Sequence, residues 1–555
     1  MAVHNVRQSP YNAVGNNITD DHDAVQAAVN ASCADGNPVF IPGGIYKIGA
    51  TVYLCNGVRI IGGSRVNAVL QGSFPGFILA HSDDDYSCCI TAGIENLAVK
   101  NFSLDWASGA ILFDNMNPGS YIRDCSINGM TGIDAQWNLF TAEISRCDFN
   151  SVTHSGYPMN VAVYASQVGL SNLKIGGYDI GISLNGPGGT INSVGVETTN
   201  TGLIIGYDRP AIFTGSISGT TLTISQWHVG HRLNWWGQSN WWLGCPFNQP
   251  CADGTQITGQ LTNTNARGDA GKEGTYTVNT AQNVAAQRMA AYFNGLQSAG
   301  VTINSFQTER DNISVNIVQA TFTSINNGVL TGTLGVGIQV DTASWTSANG
   351  GTITYTLNYP SPGYTQGNND CSMDGFSNPA YAKGYHITCN WNGRTVTVTG
   401  TGGDPGAWVN GYATIAPIQQ TCILGGPWGS AQNVTITNTS CSTSSINGVS
   451  LDLSSAYNSI TNLLLLNSSL GRVATASNNA AGIRIFNSQP SWADLGLTYN
   501  MLPGVSANPK PPVSSELYYI VDANTSVIGA NVTGGGGNTK GYVTWNGAAW
   551  TLVSK

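Results

Sequence analysis

One short pattern recurs along this 555-residue chain and limits what it can fold into. An apolar residue is followed three positions on by a second apolar residue or a cysteine, and two further on by a third. It is found in Ile94-Glu95-Asn96-Leu97-Ala98-Val99 and again in Ile122-Arg123-Asp124-Cys125-Ser126-Ile127 and Ile144-Ser145-Arg146-Cys147-Asp148-Phe149. Leu170-Ser171-Asn172-Leu173-Lys174-Ile175 and Ile191-Asn192-Ser193-Val194-Gly195-Val196 follow, so that successive copies begin 28, 22, 26 and 21 residues apart. The pattern resumes at Ile303-Asn304-Ser305-Phe306, at Ile436-Thr437-Asn438-Thr439 and at Ile460-Thr461-Asn462-Leu463. A unit this short cannot bury its own apolar face, whereas stacked units bury one continuous column and satisfy each other's backbone. The Asn or Asp before the second apolar position suits a sharp turn between two strands. The expected architecture is an all-β solenoid.

Composition agrees with that reading. Charged residues are 9% of the chain, against about a quarter in typical soluble proteins, and there are 69 glycines. Hydrophobic residues make up 41% and sit in short β-branched runs, which argues against disorder. The net charge of −9 argues against nucleic acid, which calls for a basic surface, and with 21 Lys and Arg it weakly disfavours a strongly anionic polymer. No apolar run reaches transmembrane length, so no membrane insertion is expected. Met1 to Pro10 lacks the apolar core of a signal peptide, and the expectation is a chain not exported by the ordinary leader route. Twelve cysteines leave several pairings open, among them Cys245–Cys251, Cys371–Cys389 and Cys422–Cys441. No CxxC or Cys/His cluster suggests zinc, and no metal or other cofactor is expected. Cys125 and Cys147 occupy the same slot of successive repeats and read as buried thiols.

The N-terminal segment carries a more specific signature. Tyr11-Asn12-Ala13-Val14-Gly15 is followed by Thr19-Asp20-Asp21-His22-Asp23-Ala24-Val25-Gln26-Ala27-Ala28-Val29, a short amphipathic helix that Thr19 or Asp20 can cap, with Val25, Ala28 and Val29 on its apolar face. Val39-Phe40-Ile41-Pro42-Gly43-Gly44-Ile45-Tyr46-Lys47-Ile48 is strand, turn and strand, and Val58-Arg59-Ile60-Ile61-Gly62-Gly63 opens another. In this order, over residues 8–72, the segments resemble the N-terminal signature of pectate-lyase-like β-helix proteins, which phage tailspikes and surface depolymerases carry. Gly15-Asn16-Asn17 departs from the Gly-Asp-Gly usual there. The resemblance implies a right-handed parallel β-helix, glycosidase or lyase activity on a polysaccharide, and a homotrimer.

The repeat is interrupted twice. The expected organisation is a cap and first coils (1–72), β-helix (73–209), a Trp-rich inserted β-module (210–290), β-helix (291–319), a second inserted β-module (320–420), β-helix (421–490), and a linker with a C-terminal β-hairpin cap (491–555). The two insertions read as related, since one opens Ala211-Ile212-Phe213-Thr214 and the other Ala320-Thr321-Phe322-Thr323. They close on Thr275-Tyr276-Thr277-Val278 and Thr354-Tyr355-Thr356-Leu357. Gly215 to Thr223 resembles small β-modules of phage and bacterial surface proteins. Asn546-Gly547 marks the turn of the final hairpin.

Hydrolysis of a glycosidic bond needs two carboxylates, about 5–5.5 Å apart for retention and about 6.5–9.5 Å for inversion. Glu197, Asp208, Glu309 and Asp311 are the catalytic candidates: if the first insertion loops out, their coils become neighbours. The competing reading makes them solvated turn residues or partners of Arg209 and Arg310. Trp235, Trp236, Trp241 and Trp242, with Arg310, are the substrate-binding candidates. Indole rings suit the apolar faces of sugars, and neighbouring residues of a strand face opposite sides, so two adjacent Trp pairs cannot all point inward. Core packing inside the insertion is the alternative. The acid run Asp20, Asp21 and Asp23 is explained by helix capping, and Asp83-Asp84-Asp85 by a solvated loop.

The expected function is a phage tailspike or receptor-binding spike on the virion that binds host surface polysaccharide and depolymerises it. Its expected partners are that polysaccharide, two further copies of the chain and other virion tail proteins. Two rivals stand beside it: a binding-only spike or collar fibre, and a free polysaccharide lyase or hydrolase.

Overall fold

The first apolar residue of each repeat lies directly over its counterpart in the next. Ile60, Ile94, Ile122, Ile144, Leu170, Ile191, Ile303, Ile325 and Ile436 form one column of parallel pairings and are fully buried. From Ile94 on, the corner comes two residues after each, and Asn467 takes the same place after Leu465, which stacks on Ile436. Asn96, Asp124, Arg146, Asn172, Ser193, Ser305, Asn327, Asn438 and Asn467 all adopt left-handed backbone, with φ between 46° and 57°. A single residue there turns the chain into the next wall, which is why short polar side chains prevail at this slot. The two walls joined by this corner make one 25-stranded sheet. An 11-stranded parallel sheet forms the third wall, with Ile111, Ile133, Val163, Ile182, Leu203 and Val315 stacked inward. The architecture is a right-handed parallel β-helix.

This computed structural model describes residues 2–81, 90–105, 107–113, 116–136, 142–151, 160–197, 201–206, 210–230, 233, 241–244, 251–252, 255–266, 270–292, 298–309, 313–317, 320–321, 323–332, 338–357, 367–374, 381, 387–392, 395–407, 414–417, 421–425, 430–443, 449–453, 459–461, 463–468, 473–475, 484–486, 517–534, 537, 539–546 and 548–554.

A helix, His22–Asp35, covers the N-terminal end with Val25, Ala28 and Val29 buried. The expected capping by Thr19 or Asp20 is corrected. Asp21 holds the N-cap position, and its side chain makes no capping bond. Its carboxylate accepts instead from the backbone N–H groups of Val14 (2.7 Å) and Gly15 (2.9 Å), tying the preceding turn to the helix. Asp20 accepts from the N–H groups of His22 and Gly49. A disulfide joins Cys33 of the helix to Cys55 beside the first coils. Cys251 and Cys441 are also in disulfides. Cys125 and Cys147 are buried free thiols on successive coils. Their mutual hydrogen bond, with burial, pushes the Cys147 thiol well above its usual range, so it is no nucleophile.

Between the coil strands ending at Ile205 and starting at Ser298 stands a four-stranded antiparallel sheet of Ala211–Val229, Trp241–Gly244, Gln256–Asn263 and Gly274–Tyr292. It has its own apolar core, in which Phe213, Leu222, Ile224, Trp241, Tyr276 and Met289 meet. A six-stranded closed barrel runs from Ile338 to Pro417. The start of the second insertion is therefore corrected from 320 to beyond 332. Ala320–Thr321, Ser324–Asn326 and Val329–Gly332 are rungs of the solenoid, with Ile325 between Ile303 and Ile436. The supposed kinship of the two insertions fails at the same point: Ala211 opens a long hairpin, whereas Ala320 belongs to a coil. The repeat copy placed at Ile460 is also corrected, since Leu465 is what stacks on Ile436, with Asn467 at its corner. At the C-terminal end a four-stranded antiparallel sheet spans Leu517–Ala523, Asn531–Val532, Thr539–Trp545 and Trp550–Ser554, and the Asn546 side chain closes its hairpin by accepting from Ala548 and Ala549.

Candidate active site at the end of the second wall

The strands Pro187–Glu197 and Ser298–Thr308 pair in parallel, with Val194 opposite Phe306 and Val196 opposite Thr308. The backbone N–H of Glu309 donates to the carbonyl of Val196 at 2.8 Å and extends the ladder by one step. Residues 206–297 thus leave and return between two successive coils of the solenoid. Glu197 and Glu309 are brought to neighbouring rungs, about 4.8 Å apart at the backbone, and both are exposed. On the rung below, Gly176 is opposite Glu197 and adds no side chain. Two long carboxylates on adjacent rungs can span separations close to that spacing, nearer the retaining than the inverting geometry.

The remaining candidates divide differently. Asp208, Arg310 and Asp311 lie outside the described residues, as do Trp235, Trp236 and the side chain of Trp242. Trp241 is 2% exposed and belongs to the core of the inserted sheet, so its assignment to sugar binding is corrected. Strand alternation sends one of two adjacent rings inward, and here Trp241 is that ring. Trp227 is packed against the same core, stacked on Phe213 with ring centroids 5.8 Å apart, while its backbone N–H donates to Glu273.

Two polar arrangements escaped the reading of the sequence. On the first wall, Glu95 is 15% exposed and is gripped by Arg59 and Arg123. Arg123 lies over the Tyr121 ring, 4.4 Å from its centroid. Gly93 makes this possible, because a Cβ there would strike the Tyr121 ring at 2.5 Å. On the outer side of the third wall, Asp134, Tyr164, Ser183 and Asn316 share one column with Ile204 and are all nearly fully buried. The signal was present as strands with a polar residue between apolar ones, as in Gly132-Ile133-Asp134-Ala135 and Ser314-Val315-Asn316-Ile317, but these strands follow turns of irregular length. Among the described residues, no group of three or more His, Cys, Asp or Glu could hold a metal ion, and no helix is long and apolar enough to cross a membrane.

Comparison with known proteins adds the following. Residues 3–232 match the family model described as rhamnogalacturonase A/epimerase, pectate lyase-like. A stretch of 129 residues is 25% identical to a glucan 1,3-beta-glucosidase of Cochliobolus carbonum; it covers 23% of this chain and 15% of that enzyme's length. Among solved structures, PfbA, a surface adhesin of Streptococcus pneumoniae, aligns over 100% of this chain and 99% of its own, at 10% identity and a TM-score of 0.46. A tailspike protein of the E. coli bacteriophage HK620, solved in complex with a pentasaccharide, aligns over 87% of this chain and 65% of its own, at 10% identity and a TM-score of 0.46.

Proposed function

We propose that this chain, whose residues 3–232 match the pectate-lyase-like family, is a tailspike-type protein that binds a host surface polysaccharide and cleaves its glycosidic bonds. The observation that carries the proposal is the pair Glu197 and Glu309, exposed on adjacent rungs where the second wall ends. In this reading one carboxyl protonates the glycosidic oxygen as the bond breaks and the other attacks the anomeric carbon; water then releases the sugar. Asp208, Asp311 and Arg310, which lie outside the described residues, are proposed as further charged groups for the same substrate. Trp235, Trp236 and Trp242 supply rings for the sugar faces. Assembly as a homotrimer on a virion, beside other tail proteins, is part of the same proposal.

A binding-only spike is the second reading, and one surface favours it. Thr190, Thr302, Ser324 and Thr435 form one outward column of the first wall. Beside them Asn304 donates to Asn192 at 2.9 Å and Asn326 to Asn304 at 3.1 Å. This uncharged ladder carries hydrogen-bonding groups and no acid.

The deciding experiment is reducing-end release from purified surface polysaccharide, with Glu197→Gln and Glu309→Gln beside the parent. Loss of at least about a hundredfold in both, as expected for removal of an acid or base, supports the site. Release unchanged in both removes the site and keeps the enzyme. Binding without release leaves the spike.

A further inference from the structure

We infer that the six-stranded barrel of Ile338 to Pro417 carries a separate binding face for a neutral, hydroxyl-rich polysaccharide, built from threonine and serine side chains on three adjacent strands. The inference rests on the proposed function only in taking the ligand to be a polysaccharide. It does not need Glu197 and Glu309 to be catalytic.

The face follows from strand alternation. Ile338–Thr346 pairs antiparallel with Thr352–Leu357, which pairs antiparallel with Thr395–Thr399. Ile353, Tyr355, Val396 and Val398 are buried inside the barrel, and the threonines that alternate with them are partly or fully exposed. The register sets Thr346 and Thr399 on either side of Thr352, Ser344 and Thr397 on either side of Thr354, and Thr342 and Thr395 on either side of Thr356. Three rows of three hydroxyls result. Rows lie about 6.8 Å apart and strands about 4.8 Å apart, so the patch measures about 14 Å by 10 Å.

These hydroxyls are left over, which is what sets the face apart. On the inserted sheet, cross-strand threonines satisfy one another: Thr258 bonds Thr277, and Thr262 bonds Thr275, each at 2.8 Å. On the barrel, Thr352 donates to the carbonyl of Ala348 at 2.9 Å, and the other eight hydroxyls form no hydrogen bond within the chain among the described residues. Threonine is stiff at χ1, so these groups are largely fixed in direction before a ligand arrives and little rotamer freedom is lost on binding. The three rows hold no ionisable side chain, and that decides the class of ligand. An anion would find no cation there, and an apolar partner would leave the hydroxyls without water or any other partner. A neutral glycan offers hydroxyls to the hydroxyls and C–H faces to the threonine methyls.

The attachment of the barrel gives such a face a use. Val329–Gly332 is the last rung of the second wall before the barrel, and Val329 is opposite Gln307, so Thr331 takes the position opposite Glu309. The barrel begins at Ile338, six residues after Gly332 and thus at most about 22 Å from it. A polysaccharide held on the barrel is therefore concentrated near the end of the second wall. Two sites on one chain that engage one polymer multiply in affinity, even where each alone is weak.

The test is retardation of the full chain in native gels cast with dextran, with laminarin or with polygalacturonate. The parent is compared with a triple variant, Ser344→Ala, Thr354→Val and Thr397→Val, which deletes the hydroxyls of the central row; valine keeps the shape and strand preference of threonine. Expected is retardation by at least one of the two neutral glucans, with the affinity lowered roughly tenfold or more in the triple variant, since three hydrogen bonds of a few-fold each multiply. Thr354→Ser with Thr397→Ser keeps the hydroxyls and should retain most of the binding. Equal retardation of parent and triple variant overturns the proposal, as do absence of retardation by both neutral glucans and retardation by polygalacturonate alone. A triple variant that sediments as a smaller assembly with its retardation unchanged also overturns it, and makes the face a contact between copies. Reducing-end release is followed in parallel. Retardation that the triple variant loses, by a parent that releases nothing, keeps this inference and removes the catalytic one. An unchanged melting temperature will show that the variants fold, and Thr397→Val alone carries the comparison if the triple variant melts lower.

Discussion

Arg288 of the inserted sheet donates through Nη2 to Oδ2 of Asp105 on the solenoid, at 2.6 Å and 183 positions away in sequence. Asp105 follows the strand Ala98–Asn101 and precedes Gly109–Leu112, whereas the sheet that carries Arg288 leaves the helix after Thr201–Ile205. In the third wall the strands of those two coils are separated by three intervening rungs. The module therefore folds back along the helix and is pinned to a coil well below its own root. The pair is partly buried, with side-chain exposures of 21% and 27%. Arg288→Ala should cost about 1–3 kcal/mol, between the values for exposed and buried pairs. It should also speed proteolysis within residues 211–292, measured against the parent. Asp105→Ala should do the same, and the double variant should cost less than the sum of the two. Strict additivity would mean that the pair does not hold the module.

His228 lies in the same junction, and its titration reports on it. Its Nε2 is 2.9 Å from the Thr214 hydroxyl. Burial, reinforced by the positive charge of Arg288, lowers its pKa to about 4, while Asp105 and Glu273 pull the other way. The imidazole is thus neutral in the folded chain at pH 7. An unfolded histidine titrates near 6.5, so the unfolded state takes up protons first as pH falls. Stability of the module should be constant above about pH 6.5 and decline between 6.5 and about 4. His228→Asn should flatten that part of the profile of melting temperature against pH. A wild-type decline that persists unchanged in His228→Asn would assign it to other groups.

How much was legible before the structure follows from these same elements. The triplet repeat exposed two walls, because one left-handed residue joins them and keeps the spacing constant. The third wall was not resolved, because the turns on either side of it vary in length and break the period. Residues 320–332 were absorbed into the second insertion because Ala320-Thr321-Phe322-Thr323 imitates the opening of the first. Yet Ser324-Ile325-Asn326 is the motif of Thr302-Ile303-Asn304. The adjacency of Glu197 and Glu309 could be reasoned from looping out an insertion, since strand register then follows. The fate of Trp241 could not, because alternation says that one of two neighbours points inward and leaves open which.

The cap helix is held covalently as well as by packing. The Cys33–Cys55 bond closes a loop with a sequence separation of 22. By the chain-entropy account such a bridge contributes about 3 kcal/mol. Cys33→Ser with Cys55→Ser should lower the melting temperature. It should also increase amide exchange of His22–Asp35 ahead of the central coils, since the helix is bonded only to the end of the solenoid. Exchange that rose equally in the coils around Ile144 would show that the cap and the solenoid unfold as one unit.

The corner residues give the sharpest test of why this sequence makes this helix. Asn172 has φ 53°, and its backbone N–H donates to the carbonyl of Asn192 on the next coil at 3.0 Å. An alanine there keeps that hydrogen bond but meets the left-handed penalty of about 1–2 kcal/mol. A glycine escapes the penalty and pays a smaller cost in unfolded-chain entropy, about 0.4–1 kcal/mol. Asn172→Ala should therefore be destabilised by about 1 kcal/mol and Asn172→Gly by less, read from denaturant midpoints at constant slope. At Arg146, with φ 51°, the side chain also grips Asp124 through two 2.8 Å bonds, one corner below. Arg146→Gly relieves the backbone and loses that pair, so its net effect should be small. Arg146→Ala loses the pair and keeps the strain, and should be the more damaging of the two. If alanine and glycine proved equal at both corners, left-handed strain would not be what selects Asn at this slot.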